Sequence, residues 1–314
     1  MSALASLAEA FAPLGERLAR DGHADLSGLT GPARLLVPLL IAKGPFLFVV
    51  PRERDIDDTV QDLRTLVSEI GAPGTILPFP APGPSLYRDL PRHAEACLRR
   101  AAALHSASQG QALAVVASPA GLLRPSLTPH LLATRVLSVR SGEEMTPEIL
   151  LEALEEGGYR REDPVTAPGQ FARRGGIVDI FPSDRDQPIR IELYGDTIES
   201  LRSFDPETPR TLAPADSVTA LPLSDLFATR SILAALREIL PRRFPDAPEV
   251  EALLEALDRG LPPEDLVELI PLVPGAVVAP FEHLKGAVVV ALEPDAIEAE
   301  AEAYWDRALQ DRAQ

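Results

Sequence analysis

The chain has 314 residues, 47 of them acidic and 30 basic, for a formal net charge of −17. Hydrophobic residues make up 46% and charged residues 25%, the balance of a globular protein with enough length for two domains. That charge disfavours broad phosphate binding, the single cysteine Cys97 excludes an internal disulfide or a cysteine-cluster zinc site, and no apolar run is long enough to span a bilayer. The N-terminus carries no early basic cluster of a secretory signal, so the expected compartment is the cytoplasm, without a membrane partner.

In chain order, Ala3 to Arg20 has the spacing of an amphipathic helix. The Gly-rich turn Leu26 to Arg34 leads into a helix over Leu35 to Ala42. Strands are predicted at Pro45 to Val50, Gly74 to Phe79 and Ala112 to Ala117, alternating with helices at Ile56 to Ile70 and Arg92 to Ser106. Such alternation predicts βαβ units and a parallel sheet. The proline-rich stretch Ala81 to Pro91 reads as a loop, and Cys97 as a buried, inert thiol. After Ala120 the pattern changes. Thr134 to Val139 alternates like a strand, Thr146 caps a helix with Pro147 at its first position, and Gly157-Gly158 stops it. Strands then follow up to Ser217 to Leu221. Helices are predicted near Ser231 to Leu240, Pro248 to Arg259 and Ala296 to Leu309. The run Ala287 to Leu292 reads as a buried strand returning to the first sheet. The expected organisation is residues 1–120, an inserted α+β domain at 121–215 with an antiparallel sheet, and a second part of the first domain at 216–314.

The turn at Gly28, Gly31, Ala33 and Arg34 stands where a phosphate-binding loop would stand. A working loop needs two glycines for backbone wrapping, a lysine for the phosphates and a hydroxyl for Mg²⁺. Gly28 keeps the first glycine. Ala33 stands at the second, Arg34 at the lysine and Leu35 at the hydroxyl. Leucine cannot ligate Mg²⁺ and Pro32 lacks an N–H, so this reads as a degenerate nucleotide loop with no cofactor. Anion binding at the following helix N-terminus stays open.

The segment from 169 to 211 carries the strongest pattern. Alternation turns Ile189, Ile191 and Leu193 to one face and Arg190, Glu192 and Tyr194 to the other. Arg190 and Tyr194 then lie about 13 Å apart along the strand. Pairing with a strand over Phe171 to Phe181 brings Arg174 close to Tyr194, so that two arginines and an aromatic share an exposed patch. These residue types are enriched at protein-binding hot spots, although the same pattern also fits a solvated sheet face. Gly175-Gly176 reads as a bulge or a close backbone approach. Arg88, Arg92, Arg99 and Arg100 form a weaker candidate nucleic-acid patch, with a solvated helix face the favoured reading and no aromatic interleaving to support base stacking. The five histidines lack metal spacing, and no catalytic nucleophile signature is present.

Two runs carry a resemblance. Gly169 to Pro182 reads Gly-Gln-Phe-Ala-Arg-Arg-Gly-Gly-Ile-Val-Asp-Ile-Phe-Pro, and Arg190 to Thr211 begins Arg-Ile-Glu-Leu-Tyr-Gly-Asp and contains Ser-Leu-Arg-Ser-Phe-Asp-Pro-Glu-Thr-Pro. Together they resemble the module shared by the excision-repair protein UvrB and the bacterial transcription-repair coupling factors (Mfd). The degenerate loop, the short 81–91 interval with Tyr87 as its only aromatic, and the runs 86–89 and 115–123 are similar to the coupling-factor branch. The resemblance implies a degenerate P-loop helicase-like domain with an inserted UvrA-binding domain, forming one module of a longer protein. It implies UvrA as partner through Arg174, Arg190 and Tyr194, where the family often has phenylalanine at the last position. It further implies masking of that surface by the whole protein's C-terminal domain, with RNA polymerase and DNA engaged only by other domains. On this reading the chain is a non-catalytic recruitment module, and Arg190→Ala is expected to abolish binding without lowering stability. The competing enzyme reading, a UvrB-like ATP-dependent DNA helicase fragment, requires Ala33 and Arg34 to support ATP binding.

Overall fold

A computed structural model of the chain describes residues 3–83, 92–208, 210–259 and 263–312. The run 86–89, with Tyr87 and Arg88, lies outside them. The chain divides into two compact units, Met1–Arg124 with Pro280–Gln314, and Pro125–Ala279.

The first unit opens with helices α1 (Ala3–Asp21) and α2 (Ala33–Ile41), then β1 (Phe46–Val49), α3 (Asp55–Ile70), β2 (Thr75–Phe79), α4 (Ala94–Ser108), β3 (Ala112–Ala117) and the short α5 (Pro119–Leu122). α1 and α2 cross closely at Gly15, where a Cβ would stand 2.8 Å from the Ile41 carbonyl oxygen. β1 is buried along its whole length and reads Phe-Leu-Phe-Val without alternation, as expected for a parallel strand covered on both faces. Acidic Asp55, Asp57 and Asp58 favour the N-terminus of α3, and Gly71, at φ +66°, ends the helix in the left-handed conformation. The core joins Leu35, Phe46, Phe48, Val60, Leu63, Ile76 and Val116.

The second unit contains β4 (Ser126–Leu127), α6 (Pro129–Ala133), β5 (Leu137–Arg140), α7 (Pro147–Glu156), β6 (Arg160–Arg161), β7 (Gln170–Arg174), β8 (Ile177–Ile180), β9 (Ile189–Tyr194), β10 (Thr197–Phe204), β11 (Thr211–Ala215), β12 (Ser217–Ala220), α8 (Arg230–Arg243), α9 (Pro248–Asp258) and β13 (Val277–Val278). Its main sheet has the order β11-β10-β9-β8-β7-β6. The pairs are antiparallel except β6 with β7, which is parallel. Thr146 caps α7 as expected, its Oγ1 accepting the Ile149 N–H at 3.2 Å. The expected strand at Thr134 begins only at Leu137, because Thr128 caps the turn of helix α6 over Pro129–Ala133.

Leu150 and Leu154 of α7 pack on the inner face of the sheet with Phe171, Val178, Ile180, Ile189, Ile191 and Leu201. A second core gathers Leu127, Leu226, Ile232, Leu236, Leu240, Leu257, Leu266 and Ile270. It extends the compact unit to Ala279, whereas the sequence placed the end of the insertion at 215. The reason is long-range: β13 pairs with β4, setting Val277 beside Leu127, so helices α8 and α9 close on the start of the same unit.

The chain re-enters the first unit with β14 (Val288–Ala291) and α10 (Pro294–Arg312). The first sheet is then four-stranded in the order β14-β1-β3-β2, all parallel. The return to this sheet matches the sequence, but β14 is an edge strand instead of a buried one, with Val289 63% exposed. Among the described residues no helix is long and apolar enough to cross a membrane.

Candidate functional site

The candidate surface is the outer face of strands β7 to β10. On β9 the burial alternates as predicted: Ile189, Ile191 and Leu193 are buried, Arg190 and Glu192 are half-buried, and Tyr194 is 82% exposed. The segment from Phe171 to Phe181 is not one strand. It folds back at Arg174-Gly175-Gly176-Ile177, where Gly175 takes φ +64°, a value that L side chains rarely adopt. Gly176 also makes the close approach expected of it. It shares a 2.7 Å hydrogen bond with the Leu193 N–H, and a Cβ there would meet the Leu193 carbonyl at 2.8 Å.

Directly paired residues of neighbouring strands project to the same side of a sheet. Arg174 is opposite Ile177, which is opposite Glu192. Ala172 is opposite Asp179, which is opposite Arg190, and Arg190 is opposite Arg202. Arg174, Arg190 and Tyr194 therefore stand on one outward face, on β7 and β9 with β8 between them.

The two arginines are not free. Arg190 donates Nε to Asp179 Oδ1 at 2.7 Å and Nη2 to Asp179 Oδ2 at 2.8 Å, and its guanidinium carbon lies 5.0 Å from the centre of the Phe204 ring. The Asp179 hydrogen bond is the main cause that raises the Arg190 pKa above the ordinary guanidinium value. Arg174 forks onto Asp163 in the same way, with Nε donating to Oδ2 at 3.1 Å and Nη2 to Oδ1. This bond holds the Asp163 carboxyl below the usual aspartate range. Asp163 is carried there by the parallel crossover between β6 and β7. Gln170 Oε1 fixes that crossover by accepting the Thr166 and Ala167 N–H groups at 2.8 and 2.9 Å.

Asp179, Asp163 and Phe204 were missed from sequence. Asp179 had a signal, since an acid between buried Val178 and Ile180 on a strand must face outward opposite a cation or water. Asp163 had none, because parallel pairing through a loop leaves no local pattern. Expected as freely exposed, Arg190 keeps only 21% of its side-chain surface, and Asp179 keeps 7%.

In the turn before α2, expected from sequence to be a degenerate nucleotide loop, Gly28 and Gly31 have φ +77° and +54°, and α2 starts at Ala33. No strand precedes it among the described residues. The Ala33, Arg34 and Leu35 N–H groups donate to the carbonyls of Thr30, Gly31 and Pro32 at 3.3, 3.4 and 3.1 Å, and Arg34 Nη1 lies 3.3 Å from Glu293 Oε1.

The arginines weighed as a nucleic-acid patch around α4 do not gather on one exposed face among the described residues. Arg100 is fully buried, 4.0 Å over the Phe79 ring, and donates to the Pro80, Gly121 and Arg124 carbonyls. Arg99 pairs with Asp57 and Glu95, and Arg92 precedes the helix. Arg88 is outside the described residues. Cys97 is buried, as predicted.

Residues 137–226, which hold the whole outward face, match the UvrB interaction domain. The transcription-repair-coupling factors of Myxococcus xanthus and Mycobacterium bovis are 29% and 33% identical over 83% and 73% of this chain. That of Bacillus subtilis is 28% identical over 64%. The chain spans about a fifth of the length of these relatives, 23%, 18% and 17% respectively. With a parallel α/β unit and a sheet-bearing interaction domain in the same chain, it belongs to the UvrB-homology modules of the transcription-repair-coupling factor family.

Proposed function

We propose that this chain is a non-catalytic recruitment module that binds UvrA through the outer face of β7 to β10 and brings excision repair to stalled RNA polymerase. The observation that carries this reading is the placement of Arg174, Arg190 and Tyr194 on one accessible face. Tyr194 is 82% exposed, so docking would bury much of its ring. On the same face Arg174 and Arg190 keep N–H donors that are unused among the described residues, suited to carbonyls or carboxylates of a partner. RNA polymerase and DNA would be engaged by other parts of the longer protein, whose C-terminal domain would cover the face until UvrA competes for it.

The helicase reading has less support. The Ala33, Arg34 and Leu35 amides are spent on a local turn, and the Glu293 carboxylate pairs with Arg34. The deciding experiment is UvrA binding by the purified chain and by Tyr194→Ala, measured by biolayer interferometry. Tyr194→Ala is expected to weaken binding at least about tenfold, as for an interface anchor. Unchanged binding would remove this face from the interaction.

A further inference from the structure

Arg202 was not among the sequence candidates, yet it stands directly opposite Arg190 across the β9–β10 pair. It gets there through a bulge. Glu199 is the extra residue between Ile198 and Ser200, so Leu201 turns inward against Ile191 and Arg202 turns outward. Like charges set directly opposite one another in a sheet are destabilising. Folding alone gives no reason to keep two arginines there.

Each of the three arginines on this face has its own carboxylate, and in every pair the arginine side chain is the more exposed member. Side-chain exposure is 55% against 51% for Arg174 and Asp163, 21% against 7% for Arg190 and Asp179, and 41% against 27% for Arg202 and Glu192. Arg202 Nη2 donates to Glu192 Oε2 at 2.5 Å, and Ser200 Oγ donates to the same oxygen at 2.8 Å. Nη1 makes no hydrogen bond on any of the three among the described residues. At Arg190 and Arg202 the face therefore presents donors outward over acceptors that lie deeper.

From this we infer that Arg202 is a further docking residue, and that the surface extends across β7 to β10 as three carboxylate-braced guanidinium groups beside Tyr194. Its occupant is a segment of the docked protein that presents carboxylate or carbonyl oxygens. The inference rests on the UvrA-binding reading above and adds to it the width of the site and the chemistry of the partner segment.

The test compares UvrA binding by the wild-type chain, Arg202→Gln, Arg202→Lys and Tyr194→Ala over a range of salt concentrations, with thermal melts of each. Glutamine keeps a donor for Glu192 and removes the like-charge pair, so the melting temperature should hold or rise. Arg202→Gln is expected to weaken binding about tenfold and to flatten its salt dependence. Arg202→Lys should recover only part of the affinity, since lysine cannot present a planar fork. Wild-type affinity and salt slope in Arg202→Gln, with binding lost in Tyr194→Ala, would overturn the role of Arg202 and leave the three-residue surface intact. Failure of the wild-type chain to bind UvrA would overturn both.

Discussion

Arg190 and Asp179 face each other across β8 and β9 and close a two-point hydrogen-bonded pair, 2.7 and 2.8 Å long, over the Phe204 ring. The guanidinium is thereby aimed before any partner arrives. The arrangement also makes Arg190 part of the fold, contrary to the expectation that it could be removed without loss of stability. Asp179 is only 5% exposed, and among the described residues no other group donates to its side chain. Arg190→Ala should therefore destabilise the second unit by about 1–3 kcal/mol, the range for stranding a buried polar group. The double variant Arg190→Ala/Asp179→Ala should recover part of that loss, because the two residues share one interaction. Urea denaturation of the single and double variants measures both effects. A single variant as stable as wild type would show that the pair is not buried in solution.

The Asp163 carboxyl should titrate below the ordinary aspartate value of about 3.9. Arg174 is the cause. A depressed folded-state pKa means that the pair adds stability above the unfolded aspartate value and that this contribution disappears as pH falls through the lower folded value. Carbon-13 NMR titration of the aspartate carboxyls should find this group shifted down in the wild type and back near the ordinary value in Arg174→Ala. A midpoint that does not move on removing Arg174 would mean the bidentate contact does not persist in solution.

Gly176→Ala tests the geometry that holds the turn between β7 and β8 against β9. The added Cβ would stand 2.8 Å from the Leu193 carbonyl oxygen, a backbone atom that cannot swing away. Backbone displacement here should cost about 1–3 kcal/mol and shift the neighbouring residues Arg174 and Tyr194. The expected result is a lower melting temperature together with weaker UvrA binding. Retention of both would show that the hairpin can relax locally.

ATP with Mg²⁺ should give no saturable heat in titration calorimetry. The first amides of α2 are already bonded to Thr30, Gly31 and Pro32, Leu35 cannot ligate the metal, and Glu293 sits against Arg34 where a phosphate would need that cation. Saturable micromolar binding would revive the helicase reading.

Much of this outward face was written locally. Residues alternate across a strand whatever surrounds it, so the order Ile189, Arg190, Ile191, Glu192, Leu193, Tyr194 was enough to separate the buried side from the displayed side. The parallel sheet followed from strands alternating with helices, and the cap at Thr146 from side-chain chemistry within three residues. The two glycines at 175 and 176 signalled a backbone constraint, though not that the chain reverses there.

What stands next to a strand is decided by pairing between distant segments, and local periodicity carries no record of it. That is why Asp163 and Asp179 as braces, the placement of Arg202 by a bulge, and the burial of Arg100 beneath carbonyls became visible only in three dimensions. The same cause hid the limits of the second unit, since Val277 finds Leu127 across some 150 residues of chain. Sequence determined which side chains could be offered to a partner. The tertiary structure decided how firmly each is held, because rigidity comes from contacts whose two halves are far apart along the backbone.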